Sequence, residues 1–433
     1  MIKNILLLVA LLASSWQLHA LTQILYTNHL RKPGSQVDTA LSSKSSSGSR
    51  DSYNPHQTSS RALTYQPSQP PRHDQHEISG LTHDGYSIPQ EGYHFTFPRD
   101  YGSHNDFKIE WWYITGHLFT KEGERFGFES TFFRSAAKPS SLKNHEKQNK
   151  LEDSTIFLAD MALLDVTKKN FSFQRRLNRP GWDASASSEK LDLQNGNWSL
   201  AMENTERGIM NLIGSIHGDS VFQLHLTPAK PLVFFGKNAI SRKGEDPSAV
   251  SYYMSFPRLQ VEGMLQIGEQ VKHVSGVAWM DHEISSSQLS GNQVGWDWCS
   301  LQLKDGREIM AYRMRRKDGS QDPLSTLTWI DPQGKLTEYD GKDFRIESRG
   351  TWKSPITHNL YPIPVRVMTI DPANNKSISF TLVPLLENQE LVGNRGLSYW
   401  EGACRVLDEK KVEVGSAFLE LTGYDAQFQK NLR

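Results

Sequence analysis

The sequence predicts an all-β fold, with antiparallel sheets closed into barrels or packed as sandwiches behind a disordered leader. Apolar residues recur with a period of two: Phe126, Phe128, Ser130 and Phe132 share one strand face, and Met310, Tyr312 and Met314 another. Long helical patterns are scarce. Turn signals such as Lys121-Glu-Gly123, Asn195-Gly196, Lys304-Asp-Gly306, Lys317-Asp-Gly319 and Pro332-Gln-Gly334 separate the strand candidates, often by gaps short enough for hairpins. Closure is the economical solution because it removes exposed sheet edges.

At the N-terminus, Lys3 precedes an apolar run from Ile5 to Ala13, and Ala20 offers a small residue for cleavage. Residues 1–20 therefore read as a signal peptide, which places the protein in a secreted or periplasmic compartment; a buried N-terminal helix is the alternative. The run is shorter than the ~20 residues of a spanning helix, so no transmembrane anchor is expected. Residues 21–80 read as the leader. Between Arg31 and Gly80, 12 Ser, 5 Pro and 3 Gly accompany only 8 apolar residues, too few to offset the entropy of ordering. The rest of the 433-residue chain exceeds one ordinary core, which predicts two domains, 81–240 and 241–433, with a seam in the loop Lys237–Ser248.

Strands are expected at Ile109–Phe119, Thr155–Leu164, Val221–Leu226, Arg258–Ile267, His273–Trp279, Trp298–Leu303, Ser377–Pro384 and Ala417–Leu421. The hairpin around Trp111-Trp112-Tyr113 and Lys121-Glu-Gly123 is echoed 185 residues later around Trp296-Asp297-Trp298 and Lys304-Asp-Gly306, a hint of duplication that two unrelated hairpins could also produce.

Forty-eight basic residues balance 48 acidic ones, so no global field favours nucleic acid as a partner. The two cysteines, Cys299 and Cys404, permit one bridge without dictating it.

Four aromatic–carboxylate groups stand out: Glu110-Trp111-Trp112-Tyr113, Trp279-Met280-Asp281-His282-Glu283, Gly295-Trp296-Asp297-Trp298 and Tyr399-Trp400-Glu401-Gly402. They hold 6 of the 11 tryptophans, which suggests one or two pockets, although barrel interiors also need large fillers. If the strand ending at Trp279 continues, Trp279, Asp281 and Glu283 share a face while Met280 and His282 point away. Two carboxyls beside apolar walls raise the pKa of at least one, giving a neutral acid suited to general acid catalysis. A structural role for the same pair, with Asp281 capping a turn and Glu283 meeting an Arg, stays open. No metal site is expected, because Asp281, His282 and Glu283 diverge along a strand and no second His stands at a recognised spacing. No cofactor is expected either: nucleotide-binding glycine motifs and a Gly-x-Ser-x-Gly elbow are missing from the sequence.

Taken in order, Glu110-Trp-Trp-Tyr-Ile-Thr-Gly-His117, Tyr252-Tyr253-Met-Ser255, Gly276-Val-Ala-Trp-Met-Asp-His-Glu283, Gly295-Trp-Asp-Trp298 and Tyr399-Trp-Glu-Gly402 resemble the CrtC/AttH family, from about Gly85 to Gly423. The resemblance implies two lipocalin-like β-barrels in tandem, the first of the CrtC type, with a ligand pocket between or within them. It also implies ligand contacts from Glu110, Trp111, Trp112, Tyr113, Tyr253, Trp279, His282, Trp296, Asp297, Trp298, Trp400 and Glu401. In the carotenoid 1,2-hydratase branch an Asp protonates an isolated alkene; Asp281 matches that acid, Glu283 would tune it or position water, and Trp279 and Trp112 would steady the cation. The expectation is a protein that binds an apolar small molecule, either as a cofactor-free hydratase (a hydro-lyase) or isomerase, or as a non-enzymatic carrier serving an ABC transport system; a structural envelope protein whose aromatics are only core is the third reading, which a filled interior would favour.

Overall fold

The computed structural model describes residues 80–136, 155–181, 183–287, 289–393 and 398–425. The expected signal peptide and, apart from Gly80, the expected leader lie outside the described residues. The described chain is nearly all β, with a 3-10 turn at Arg99–Tyr101. No helix among the described residues is long and apolar enough to cross a membrane.

The first sheet opens with a meander of β1 (Ile109–Phe119), β2 (Arg125–Ser135), β3 (Ile156–Asp165) and β4 (Asn170–Asn178). Shorter strands follow: β5 (Ala184–Ala186), β6 (Asp192–Asn195), β7 (Trp198–Asn204), β8 (Ile209–Ile216), β9 (Ser220–Pro228), β10 (Val233–Phe234) and β11 (Ile240–Arg242). The long hairpin of β12 (Val250–Ile267) and β13 (Gln270–Ser285) then returns to β1, giving the order β4-β3-β2-β1-β13-β12-β9-β8-β7-β6-β5. Arg176 and Asn178 on β4 reach Asn195 on β6 at 3.0 and 2.7 Å, so the barrel is nearly closed by side chains where its end strands meet.

The second sheet repeats the plan. Its meander is β14 (Gln293–Leu303), β15 (Glu308–Arg316), β16 (Thr326–Ile330) and β17 (Leu336–Asp340). Next come β18 (Arg345–Ser348), the separate pair β19 (Trp352–Lys353) and β20 (Leu360–Tyr361), β21 (Val365–Asp371), β22 (Lys376–Pro384) and β23 (Glu390–Leu391). β24 (Tyr399–Leu407) and β25 (Glu413–Thr422) close back on β14, in the order β17-β16-β15-β14-β25-β24-β22-β21-β18. In both sheets a four-strand meander is joined at its first strand by the last strand of the sheet. The echoing hairpins, β1–β2 and β14–β15, hold the same place in the two barrels.

The sheets therefore change hands between Ser285 and Gln293. The seam read at Lys237–Ser248 is corrected: that loop joins strands of the first sheet, and β12 and β13 pair with β9 and β1 rather than with the second barrel. A polar, turn-rich stretch marks a loop, and only pairing shows which sheet lies on either side of it.

Each barrel has its own apolar core, and a third cluster containing Tyr113, Tyr253, Trp279, Trp298, Ala403 and Phe418 lies between them. β1 and the second half of β13 are buried on both faces for this reason, one face by the first barrel's interior and the other by the second barrel. Gly127 on β2 permits the approach: a Cβ there would sit 2.5 Å from the Ala403 Cβ on β24. At the periphery Lys230 and Arg258 of the first barrel both ion-pair with Glu308 of the second. Cys299 and Cys404 are free and buried in the second core, on strands separated by β25.

Candidate functional site

The antiparallel register of β1 and β13 places the site residues. Trp111 pairs with Glu283, Trp112 with His282 and Tyr113 with Asp281, and directly paired residues share a face. Trp111, Tyr113, Trp279, Asp281 and Glu283 thus face the second barrel, whereas Glu110, Trp112 and His282 face the interior of the first. The period of two that correctly grouped Trp279 with Asp281 and Glu283 also separates Trp112 from them. The pairing of Trp112 with Trp279 beside Asp281 is accordingly corrected.

On the inter-barrel face Asp281 is 3% exposed. Its Oδ2 accepts from Tyr253 OH at 2.7 Å, and its Oδ1 accepts from Trp279 Nε1 at 2.6 Å and from Ser255 Oγ. Trp298 Nε1 donates to Tyr253 OH at 2.9 Å, so the second barrel orients the tyrosine that holds the acid. Burial pushes the Asp281 carboxyl up, the three donors pull it down and the nearby Glu283 raises it again; the balance lies at about 7. Glu283 ion-pairs with Lys243 at 2.9 Å and accepts from Ser251 Oγ. Burial alone would lower the Lys243 ammonium, but charge interactions, with Glu283 first, hold it above its ordinary value, and it lies over the Tyr253 and Tyr312 rings at 4.4 and 4.2 Å. Ser251, Ser255 and Lys243 were not legible as site residues in the sequence, because nothing local marks a serine or loop lysine that meets a strand 26 to 40 positions away.

The second barrel contributes Trp298, Trp296 and Glu401. Tyr113 sets its ring edge-on to Trp298, centroids 5.3 Å apart, and donates from OH to Glu401 Oε1. Trp296 Nε1 donates to Glu420 Oε1 at 3.0 Å. Glu129, Asp160 and Glu420 join this polar interface although the sequence reading passed over them. Their visible signal is an acid set among apolar residues of a strand, as in Phe128-Glu129 and Leu419-Glu420-Leu421. Asp297 and Trp400 lie elsewhere. Asp297 ion-pairs with Arg313 and Arg315 on the opposite face of β14, and Trp400 fills the second core with its Nε1 on Glu387 O at 2.7 Å.

Inside the first barrel, Glu110 is the centre of a charged network. Its Oε1 accepts from His104 Nδ1 at 2.8 Å and His282 Nε2 at 2.9 Å; its Oε2 accepts from the His104 backbone N–H at 2.8 Å, Ser103 Oγ at 3.2 Å and Arg134 at 3.3 Å. Asp100 Oδ1 holds the other His104 nitrogen at 3.0 Å. With a carboxylate at each ring nitrogen, His104 donates from both, as an imidazolium does. Burial would raise Glu110, but His104, His282 and Arg134 outweigh it and keep the carboxyl well below its usual range. Burial lowers His282, which stacks on Trp112 at 4.7 Å. His104, Glu110 and His282 bring three donor atoms within 4.8 Å of one another, a set that could hold an ion. Their hydrogen bonds and the Arg134 charge already satisfy the carboxylate, and the geometry is that of a buried ion network.

Two small cavities stand where the apolar hollow is expected. One cavity between the barrels and one beside Trp112 each measure about 10 Å³, room for a single water. A larger guest between the barrels must move side chains.

The family profile that matches residues 88–424 is AttH-like. The chain belongs to the AttH-like family. The solved "putative AttH" of Nitrosomonas europaea is 33% identical to this AttH-like chain, with a TM-score of 0.67, covering 77% of this chain and 98% of that one. Kievitone hydratase of Nectria haematococca is 14% identical, with a TM-score of 0.56 over 80% of this chain and 98% of that one, which shows a shared fold. No protein of curated function matches the sequence.

Proposed function

We propose that this AttH-like protein takes a lipophilic small molecule between its barrels and acts on it without a cofactor, as a hydratase or isomerase that begins by protonating an alkene. The observation that carries this reading is Asp281, a buried carboxyl with no ion-pair partner among the described residues, fixed by Tyr253, Ser255 and Trp279 and poised at about 7. Such a group donates a proton near neutral pH. The Asp281 O–H bond breaks as a C–H bond forms at one alkene carbon, and the positive charge left at the other is steadied by the faces of Trp279, Trp298 and Tyr253. Water then adds through its oxygen and returns a proton to the Asp281 carboxylate. Transfer of a proton from the neighbouring carbon back to the Asp281 carboxylate gives the isomer instead. Glu283 acts through Asp281, as the fixed anion that keeps its proton on.

A carrier reading draws on one feature: both Asp281 oxygens are already engaged, which also suits an acid that only holds the barrels together. The test is native mass spectrometry of protein purified from its own host, followed by turnover of the retained compound. Asp281→Asn should abolish turnover and leave affinity largely intact; wild-type protein that retains the compound without converting it would leave the carrier. Export with cleavage after Ala20 belongs to the proposal, and an intact mass that includes residues 1–20 would overturn it. Service to an ABC system belongs to the carrier reading and predicts co-purification with a transporter.

A further inference from the structure

The barrels bury more carboxyl groups between them than cations. Asp160 has Arg175 at 2.8 and 2.7 Å and Glu283 has Lys243, but Glu129 on β2 and Glu401 on β24 have no ion-pair partner among the described residues. Both are 1% exposed. Both are also half-satisfied: Glu129 Oε1 accepts from Thr131 Oγ1 and Glu401 Oε1 from Tyr113 OH, while Oε2 of each is buried without a hydrogen-bond partner. The two glutamates, one from each barrel, line the same inter-barrel cavity, whose other walls include Phe128, Leu164, Phe171 and Phe418.

A carboxylate buried without a cation sheds its cost by keeping its proton. Burial first, then neighbouring acids, push both glutamates well above the usual carboxylate range. When Oε1 accepts a bond, the proton belongs on Oε2. The cavity is then walled by two O–H donors that lack an acceptor, among apolar side chains and Gln389, whose amide is already engaged by Leu386 O and by the Ala403 backbone. The cation that Glu129 feels, Arg175, is already bound by Asp160, so an anion would gain little there, and a cation would have to displace the protons. An uncharged oxygen with two lone pairs answers both donors.

We infer that this cavity seats the carbonyl oxygen of the molecule bound between the barrels, with Glu129 and Glu401 as its donors, so that the substrate class is a lipophilic ketone or enone rather than a plain hydrocarbon. The inference rests on the inter-barrel ligand site proposed above. Tyr113 links the two ends: it is the cross-strand partner of Asp281, its ring meets Trp298, and its hydroxyl holds Glu401. Proton donor and carbonyl seat stand one side chain apart, a spacing that suits two functional groups of one molecule.

The test uses β-ionone, an enone with an isotope-labelled carbonyl, beside limonene, a hydrocarbon, with tryptophan quenching for affinity and infrared spectroscopy for the carbonyl band. The band of bound β-ionone should fall to lower wavenumber than in hydrocarbon solvent, and Glu401→Met should weaken β-ionone about threefold to tenfold while sparing limonene. Glu401→Gln should retain affinity, because its amide can accept from Tyr113 and donate to the ligand; it also controls for folding, and Glu129→Gln repeats the logic from the other barrel. If both probes bind but the band is unshifted, or if Glu401→Met binds β-ionone as wild type does, the cavity holds only water and the carbonyl seat is overturned while the ligand site stands. If neither probe binds, both proposals fall.

Discussion

The two faces of the β1–β13 pair take similar residues to opposite chemical ends. Toward the first barrel's interior, Glu110 is surrounded by His104, His282 and Arg134 and is held ionised. Toward the second barrel, Asp281, adjacent to His282 in the chain, meets two hydroxyls and an indole and keeps its proton to about 7. Both carboxyls are buried, so burial does not decide their state. Cations do. A pair of strands with a two-residue repeat can thus present a structural anion, Glu110 on β1, to one side and a candidate acid, Asp281 on β13, to the other.

The largest expected effect breaks the comparison if it fails. Glu110→Gln leaves Arg134 and His104 facing a neutral amide in a dry interior and should cost about 3–5 kcal/mol in urea denaturation. Asp281→Asn exchanges a neutral acid for a neutral amide of the same shape and should cost under about 1 kcal/mol. Equal losses would mean that Asp281 is an ionised structural group. On turnover Asp281→Asn should show a loss of about 100-fold or more in kcat.

Stability should also respond to pH with opposite signs on the two faces. Asp281 is raised from 3.8 to about 7, so the folded chain holds a proton that the unfolded chain has released; that contribution is full below the unfolded value and is lost as pH rises through the folded one. Wild type should therefore lose stability relative to Asp281→Asn between pH 3.8 and about 7 and run parallel to it above, in melts taken across that window. Glu110 is held low, and its contribution is present above the unfolded carboxylate range and lost as pH falls through the folded value.

Much of the fold could be read from the chain. Ile109–Phe119 was bounded as β1 is, and Trp279, Asp281 and Glu283 do share a face, because a two-residue period needs no partner to be seen. Asn170–Asn178 was missed, since its half-buried place at the end of the sheet lets polar residues break the alternation, and Val365–Asp371 was missed beside the Tyr361-Pro-Ile-Pro364 run, which reads as loop. The site was legible only within strands. That Tyr113 meets Glu401, 288 positions away, or that Trp112 turns to the opposite face from Asp281, depends on register, which is set by the whole sheet.

The smallest effect asks whether the faces are electrically separate. Trp298 Nε1–H donates to Tyr253 OH, and a phenol that accepts a bond becomes a better donor to the Asp281 carboxylate. Trp298→Phe removes that support, so Asp281 should hold its proton more tightly and the midpoint of its titration, followed by carboxyl infrared bands, should rise by a few tenths of a pH unit. Trp112→Phe loses the indole bond to Tyr101 O at 3.1 Å and part of the stack on His282, and should cost about 1–2 kcal/mol of stability while leaving that midpoint in place. A midpoint that moved equally in both variants would show that the sheet between the clusters transmits what happens on either side, and that the acid between the barrels is tuned by the network inside the first.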